Sequence, residues 1–240
     1  MADQAGSWFD RRTVLVCGAL LAAALPFAAL LLLVVSSWSP LQRLDRAVSA
    51  TLHGYAVDHP AFTTVMRLVT DTGSSLAWIV VLVPVFGWLV YRRRPRLAAF
   101  VAVTALGSAG LNNVIKLLVG RARPRFDDPV ATAIGKSFPS GHTQATVVGY
   151  GIVLLVFFPV IPRAVRPRVV PLAAAMVALV GFSRIALGVH YLSDVIGALL
   201  IGVAWLLAMT AAFAAWPRGP GEPPLEASAG PGPDNDGRPG

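Results

Sequence analysis

Three short stretches concentrate the residue types that handle charge and protons. The first runs K-L-L-V-G-R-A-R-P from Lys116 to Pro124. Among the 20 basic residues only Lys116 and Lys136 are lysines, and a Lys kept in so Arg-rich a chain points to a use for a compact point charge. The second is Ser137-Phe138-Pro139-Ser140-Gly141-His142, where Pro and Gly shape a tight turn ahead of an apolar run. If a helix starts there, the N–H groups of Ser140, Gly141 and His142 lie unpaired at its N-terminus. Such a terminus suits a phosphate, and the Ser140 hydroxyl adds a donor. The third holds Ser183-Arg184 and then His190-Tyr191-Leu192-Ser193-Asp194. His190 and Asp194 stand four apart, so on one helical turn the carboxylate faces the imidazole, fixing its tautomer and stabilising an imidazolium. Arg184 is off that face on a straight helix, and Gly188 is the expected break that lets the three groups converge.

Each stretch alone has a plainer reading. The first is also a snorkelling Lys beside interfacial Arg residues, the second a Ser N-cap next to a wet His, the third a buried His–Asp pair at a helix junction. Together they supply two Arg, one Lys, two His, one Asp and a helix N-terminus. That set suits a tetrahedral dianion, with bidentate contacts from Arg and a point charge from Lys.

The elements that must position these residues are apolar. Of 240 residues 55% are hydrophobic and 13% charged, about half of the ~25% charged share of soluble domains. With a mean hydropathy of +0.66, the chain is neither disordered nor composed like a soluble enzyme. Six apolar segments, about 14–35, 74–91, 97–118, 142–161, 169–187 and 194–216, each reach the roughly 20 residues that cross a bilayer. The fold class expected is all-α: a six-transmembrane-helix bundle formed by residues 1–216. The first segment follows Asp10-Arg11-Arg12 but is too long for a signal-peptide core, with no A-x-A site after it, so it reads as a retained anchor.

Basic residues set the orientation. With a cytoplasmic N-terminus, 11 of the 20 fall inside, including the tight clusters Arg92–Arg96 and Arg163–Arg168, and nine outside; the three motif cations set aside, six remain outside. Both termini are therefore expected in the cytoplasm, with all three stretches at the outer face of the plasma membrane. Membrane topology also accounts for the net charge of +8, so no nucleic-acid partner is invoked, and no protein partner is inferred.

Between the first two spans, Leu41, Leu44, Val48, Leu52 and Tyr55 recur at helical spacing, with Arg43, Asp45 and Arg46 on the other side. This reads as an amphipathic helix, lying either on the membrane surface or on the bundle as a lid. His59-Pro60 ends it, and Phe62, Val65 and Val69 mark a second short helix up to Gly73. Residues 217–240, with 7 Pro, 6 Gly and the chain's only Glu residues, Glu222 and Glu226, read as a disordered cytoplasmic tail. Cys17, alone in the chain, reads as a small core residue. Arg121, Arg125, Asp127, Asp128 and Lys136 read as solvated interfacial charge rather than a headgroup grip. His53 and His59 are too isolated for a metal site, and none is expected.

The three stretches resemble the signature of the type-2 phosphatidic acid phosphatase family of integral-membrane lipid phosphatases, K-x6-R-P, P-S-G-H and S-R-x5-H-x3-D. They stand here as Lys116…Arg123-Pro124, Pro139-Ser140-Gly141-His142 and Ser183-Arg184…His190…Asp194, with no departure in residue type or spacing. The motifs occupy 116–194 and the span layout extends the likeness to about 1–216. The resemblance implies that His190 attacks phosphorus to form a phosphohistidine, with Asp194 orienting the ring. It implies that His142 protonates the leaving oxygen and then helps to activate water. Lys116, Arg123, Ser140, Arg184 and the Gly141 N–H are implied to hold the phosphoryl oxygens, with Pro124, Pro139 and Ser183 in support and no metal or other cofactor. The partner is then a membrane lipid phosphate within the bilayer, of the undecaprenyl diphosphate, phosphatidylglycerol phosphate or phosphatidic acid type. A phosphotransferase using the same phosphohistidine is the alternative within enzymes. Vanadate haloperoxidases share the motifs but are soluble, and a silent lipid-binding or transport protein fits poorly when no motif His or Asp is missing.

Overall fold

In the computed structural model, which describes the backbone of residues 4–215 and the side chains of 17–214, every apolar run is an α-helix and no strand occurs among the described residues. The helices are α1 (Gln4–Val35), α2 (Ser39–Asp58), α3 (Pro60–Thr72), α4 (Ser75–Tyr91), α5 (Pro95–Val119), α6 (Gly141–Phe157), α7 (Arg166–Ala186) and α8 (Leu192–Ala215). A 3₁₀ turn, Phe158–Val160, extends α6. Proline punctuates the starts: α2, α3, α5 and α7 carry it in their first two positions, where its missing N–H and fixed φ cost nothing.

Among the described residues six helical stretches are long and apolar enough to cross a membrane, and the protein is a multi-pass membrane protein. They coincide with the six expected segments, except that the second runs Pro60–Tyr91 and takes in α3 ahead of residue 74, and α1 as a helix begins at Gln4, well before residue 14. The bundle is built around α8, which touches α1, α2, α5, α6 and α7. One core cluster joins α4, α5 and α6 through Trp78, Leu82, Val101, Val148 and Ile152. Gly149 permits that closeness, since a Cβ there would lie 2.2 Å from the Trp78 ring, the small-residue contact that lets membrane helices approach. Outward, Leu25, Leu106, Leu117 and Leu118 are more than 60% exposed, as lipid-facing positions are.

The segment between α1 and α4 forms the two short helices expected, broken at His59-Pro60 and at Gly73. The buried face of α2 is rotated from the one that hydropathy selects, with Leu41, Val48 and Leu52 part-buried at its edge. Asp45, Ser49, His53 and Ala56 are buried, while Leu44 and Tyr55 are exposed. The lid arrangement holds, because α2 and α3 pack on α7 and α2 also reaches α8. The inward face is polar because polar partners wait for it. Cys17 is another departure: it is exposed on α1, whose contact with the bundle runs through residues such as Phe27. The Arg11 and Arg12 side chains and the tail 217–240 lie outside the described residues.

Candidate active site

Four helix ends meet at one end of the bundle: the last turn of α5, the first of α6, the last of α7 and the first of α8. Each chemistry-bearing stretch sits on such an end.

At the end of α5, Gly120 adopts the left-handed conformation (φ 64°) and its N–H donates to the Lys116 carbonyl at 3.0 Å. The chain then runs without regular structure to Ser140. It is pinned by Phe138, which is fully buried, stacks on Phe27 of α1 and lies so close to α8 that a Cβ on Gly197 would stand 2.6 Å from its ring. Arg123 is held by the carbonyls of Val189 (2.8 Å), Gly135 (3.0 Å) and Ile134 (3.1 Å). Its Nη1 lies 3.0 Å from His190 Nε2.

At the α7–α8 junction, Gly188 takes φ 70° and the N–H groups of Val189 and His190 both turn back to the Arg184 carbonyl at 3.2 Å. This is the break anticipated at Gly188. It brings His190 onto Asp194 and Arg123, whereas Arg184, expected to converge on the pair, bonds Thr70. His190 Nδ1 is 3.3 Å from Asp194 Oδ2, which also accepts from the Ser137 hydroxyl and from the Tyr191 N–H at 2.9 Å. With the carboxylate accepting from Nδ1–H, the Nε2 lone pair faces Arg123. Burial pushes the His190 imidazole down to about 4, with Asp194 opposing the shift, so the ring is neutral at pH 7 and keeps a free lone pair.

At the start of α6, Ser140 is fully buried and its N–H is already taken by the Asp194 carbonyl at 3.0 Å. The helical ladder begins with the Gln144 N–H on the Ser140 carbonyl, which leaves Gly141, His142 and Thr143 as the amides ahead of it. Thr143 Oγ1 donates to Ser140 Oγ at 3.0 Å, freeing the Ser140 proton for another acceptor. A Cβ on Gly141 would stand 3.6 Å from Lys116 Nζ, so the ammonium lies against the helix N-terminus. His142 is within electrostatic reach of Arg184, His190, Lys116 and Arg123. Arg184 is buried, donates from Nη1 to Thr70 Oγ1 at 2.8 Å, and its Nε has no partner.

The ion pairs among the described residues are Arg121–Asp45, Arg121–Asp194 and His190–Asp194. Lys116, Arg123 and Arg184 form none. Three cations near a helix N-terminus with no carboxylate in ion-pair contact repel one another, and an anion of two charges relieves that. Pro124 and Ser183 serve the framework; the Ser183 hydroxyl donates to the Val180 carbonyl at 2.7 Å.

Three contributors were not anticipated. Ser137, adjacent to a motif, bonds Asp194 and lies 3.4 Å from His190 Nδ1. Arg121, expected to be solvated, is half-buried and bridges Asp45 and Asp194; those partners outweigh burial and hold its guanidinium above the usual range. Asp45, 1% exposed, arrives from α2. Arg125, Asp127, Asp128 and Lys136 are exposed, as expected of solvated charge. His53 packs on Phe126 with Nε2 3.0 Å from the Asp128 carbonyl, and His59 stacks on Tyr55; no cluster of metal-ligating side chains occurs among the described residues.

A second space leads away from the cradle. Gly141, Asn112 and Gln144 stand at the head of a cleft of about 510 Å³ between α4, α5 and α6, lined farther down by Leu82, Phe86 and Leu106. Asn112 donates to Gln144 at 2.8 Å, and Gln144 to the Ser108 hydroxyl at 2.9 Å. The buried amides at this depth are thus satisfied by one another and by Ser108, and apart from Ser75 and Asn113 the rest of the wall is apolar.

Comparison with known proteins agrees with this geometry. A family model described as the PAP2 superfamily matches residues 96–218, just over half of the chain. Phosphatidylglycerophosphatase B of Bacillus subtilis is 28% identical over 68% of this chain and 79% of its own. Decaprenylphosphoryl-5-phosphoribose phosphatase of Mycobacterium tuberculosis is 30% identical over 68% of this chain and 84% of its own. In fold, the chain matches the crystal structure of a transmembrane PAP2-type phosphatidylglycerolphosphate phosphatase from Bacillus subtilis, with a TM-score of 0.74, 24% identity, and 83% of this chain and 98% of that one covered.

Proposed function

The chain belongs to the PAP2 superfamily and is a membrane lipid phosphatase, and from that premise we propose that it hydrolyses a phosphomonoester or diphosphate of a membrane lipid through a phosphohistidine on His190. The observation that carries the proposal is the contiguity of the two spaces at Gly141. This residue lies against the Lys116 ammonium and also lines the apolar cleft. A substrate with a dianionic head and a hydrocarbon tail fits both at once.

In the proposed reaction, the substrate phosphate binds Lys116, Arg123, Arg184, the Ser140 hydroxyl and the Gly141 N–H. Arg123 Nη1, which rests against Nε2, turns its N–H to a phosphoryl oxygen. The Nε2 lone pair then attacks phosphorus as the P–O bond to the lipid breaks. Asp194 keeps the Nδ1 proton and stabilises the positive ring. His142, on the first turn of α6, gives its proton to the leaving oxygen, then takes one from the water that attacks the phosphohistidine. The negative charge developing on the equatorial oxygens meets three cations and a helix N-terminus, and this is the stabilisation that phosphoryl transfer requires. The proposed setting is the plasma membrane, with the site on the extracytoplasmic face.

Phosphate release by the detergent-purified protein in excess EDTA tests the proposal, run in parallel on undecaprenyl diphosphate, phosphatidylglycerol phosphate and phosphatidic acid. Activity is expected to survive chelation and to fall by at least about 1,000-fold in His190→Ala. Release that persists in His190→Ala overturns the mechanism, and loss in EDTA with recovery on adding metal overturns its metal independence.

A further inference from the structure

We propose that Asp45 and Arg121 are positioning residues for the proposed nucleophile, so that the interfacial helix α2 belongs to the catalytic apparatus and is not only its cover; this rests on the assignment of His190 and Asp194 above. The Arg121 guanidinium is forked between two buried carboxylates. Its Nη2 donates to Asp45 Oδ2 at 2.6 Å, and its Nη1 to Asp194 Oδ1 at 2.7 Å and to Ser193 Oγ at 2.6 Å. Asp45 also accepts from both ends of Ser193, the N–H on Oδ1 at 2.9 Å and the hydroxyl on Oδ2. Asp45 thereby fixes the first turn of α8, the turn that carries Asp194.

The two oxygens of Asp194 divide the work. Oδ2 receives Ser137, the Tyr191 N–H and His190 Nδ1, whereas Oδ1 has Arg121 as its side-chain donor. The tilt of the carboxylate plane, and with it the direction of the imidazole, therefore depends on where Arg121 is held. Arg121 is fixed on its other side by Asp45 and by the Tyr191 ring, 4.4 Å from its guanidinium carbon. Two carboxylates and a guanidinium out of water are a costly way to dock a helix. Apolar contacts around Met66, Ala186 and Leu187 already join this segment to α7. The network is better suited to orientation and charge: Asp45 shares the positive charge of Arg121, which would otherwise fall wholly on Asp194 and weaken its support of the positive ring.

None of these atoms is in the phosphate cradle, so the effect belongs on kcat and not on KM. Asp45→Asn preserves shape and the Ser193 N–H bond while removing the charge, and a role confined to holding the fold would survive it. Steady-state kinetics on a lipid phosphate that the wild type cleaves are expected to show kcat reduced about 10- to 100-fold in Asp45→Asn and in Arg121→Met. KM should stay within about twofold, and the double variant should be no slower than Arg121→Met alone because the two residues act as one unit. If Asp45→Asn cannot be purified folded, Arg121→Lys, which keeps the charge and loses the fork, carries the same test. Wild-type kcat in these variants while His190→Ala is inactive overturns the positioning role. Turnover persisting in His190→Ala instead removes the nucleophile assignment on which it rests.

Discussion

His190 rests as a neutral base in a cluster of cations, and burial is the main reason. A ring whose folded value is about 4, against 6.5 when exposed, stays unprotonated across the working range and offers its Nε2 lone pair without a prior proton loss. The same shift makes a statement about stability. Between those two values the unfolded chain takes up a proton that the folded chain refuses, so unfolding gains as pH falls. The contribution of His190 to stability is complete above about 6.5 and is lost as pH drops through about 4. Thermal unfolding in detergent should therefore show the midpoint falling from pH 7 to pH 4, with a shallower fall in His190→Gln, which lacks the titrating ring. Parallel curves for the two proteins would remove the argument. The motif residues were legible here because their chemistry is strung along the chain at fixed spacing: a separation of four positions puts His190 and Asp194 on one turn. Ser137 and Arg121 lie within or beside the motifs, yet nothing in their spacing marks them. Their roles depend on how the 120–140 loop folds back on α8, and that is set by the burial of Phe138 between α1 and α8.

At the scale of elements, helix positions were readable to within a few residues for five of six spans, because a bilayer demands long apolar runs and Pro and Gly mark their ends. The face of α2 was not readable. Hydrophobic periodicity identifies the apolar side, but this helix lies between lipid and a polar site, so Leu44 and Tyr55 face outward and Asp45 inward beside the part-buried Leu52. Asp45 meets Arg121 across 76 residues, a pairing that no local pattern discloses. The α7–α8 junction depends on Gly188, whose φ of 70° suits a residue without Cβ. An added Cβ there would also meet His53 Nδ1 at 2.7 Å and the Phe126 ring at 2.9 Å. Gly188→Ala should thus displace the turn carrying His190, cutting kcat by about 10-fold or more while costing about 1–2 kcal/mol in backbone strain alone. Unchanged turnover with an unchanged melting point would mean that the junction tolerates a side chain and does not set the ring position.

For the whole molecule, the helix polarities put the site and the Arg clusters at opposite ends. The C-termini of α5 and α7 and the N-termini of α6 and α8 meet at the phosphate cradle. The α4–α5 turn with Arg92–Arg94 and the α6–α7 connection with Arg163 lie at the far end, where Arg96 also bonds the Phe213 carbonyl of α8. Basic residues retained on the cytoplasmic side would make the cradle extracytoplasmic, where the proposed substrate's phosphate would sit in the wet layer and its tail in the cleft between α4, α5 and α6. Cysteine labelling tests this orientation directly. In a Cys17→Ser background, Thr132→Cys reports the exposed loop beside the site, and Ala164→Cys reports the exposed α6–α7 connection. With a membrane-impermeant maleimide on spheroplasts, Thr132→Cys should label at once and Ala164→Cys only after permeabilisation. The reverse pattern would turn the protein over in the membrane. The same residues would then act on lipid phosphates of the inner leaflet, so labelling decides which leaflet supplies the substrate independently of the chemistry at His190.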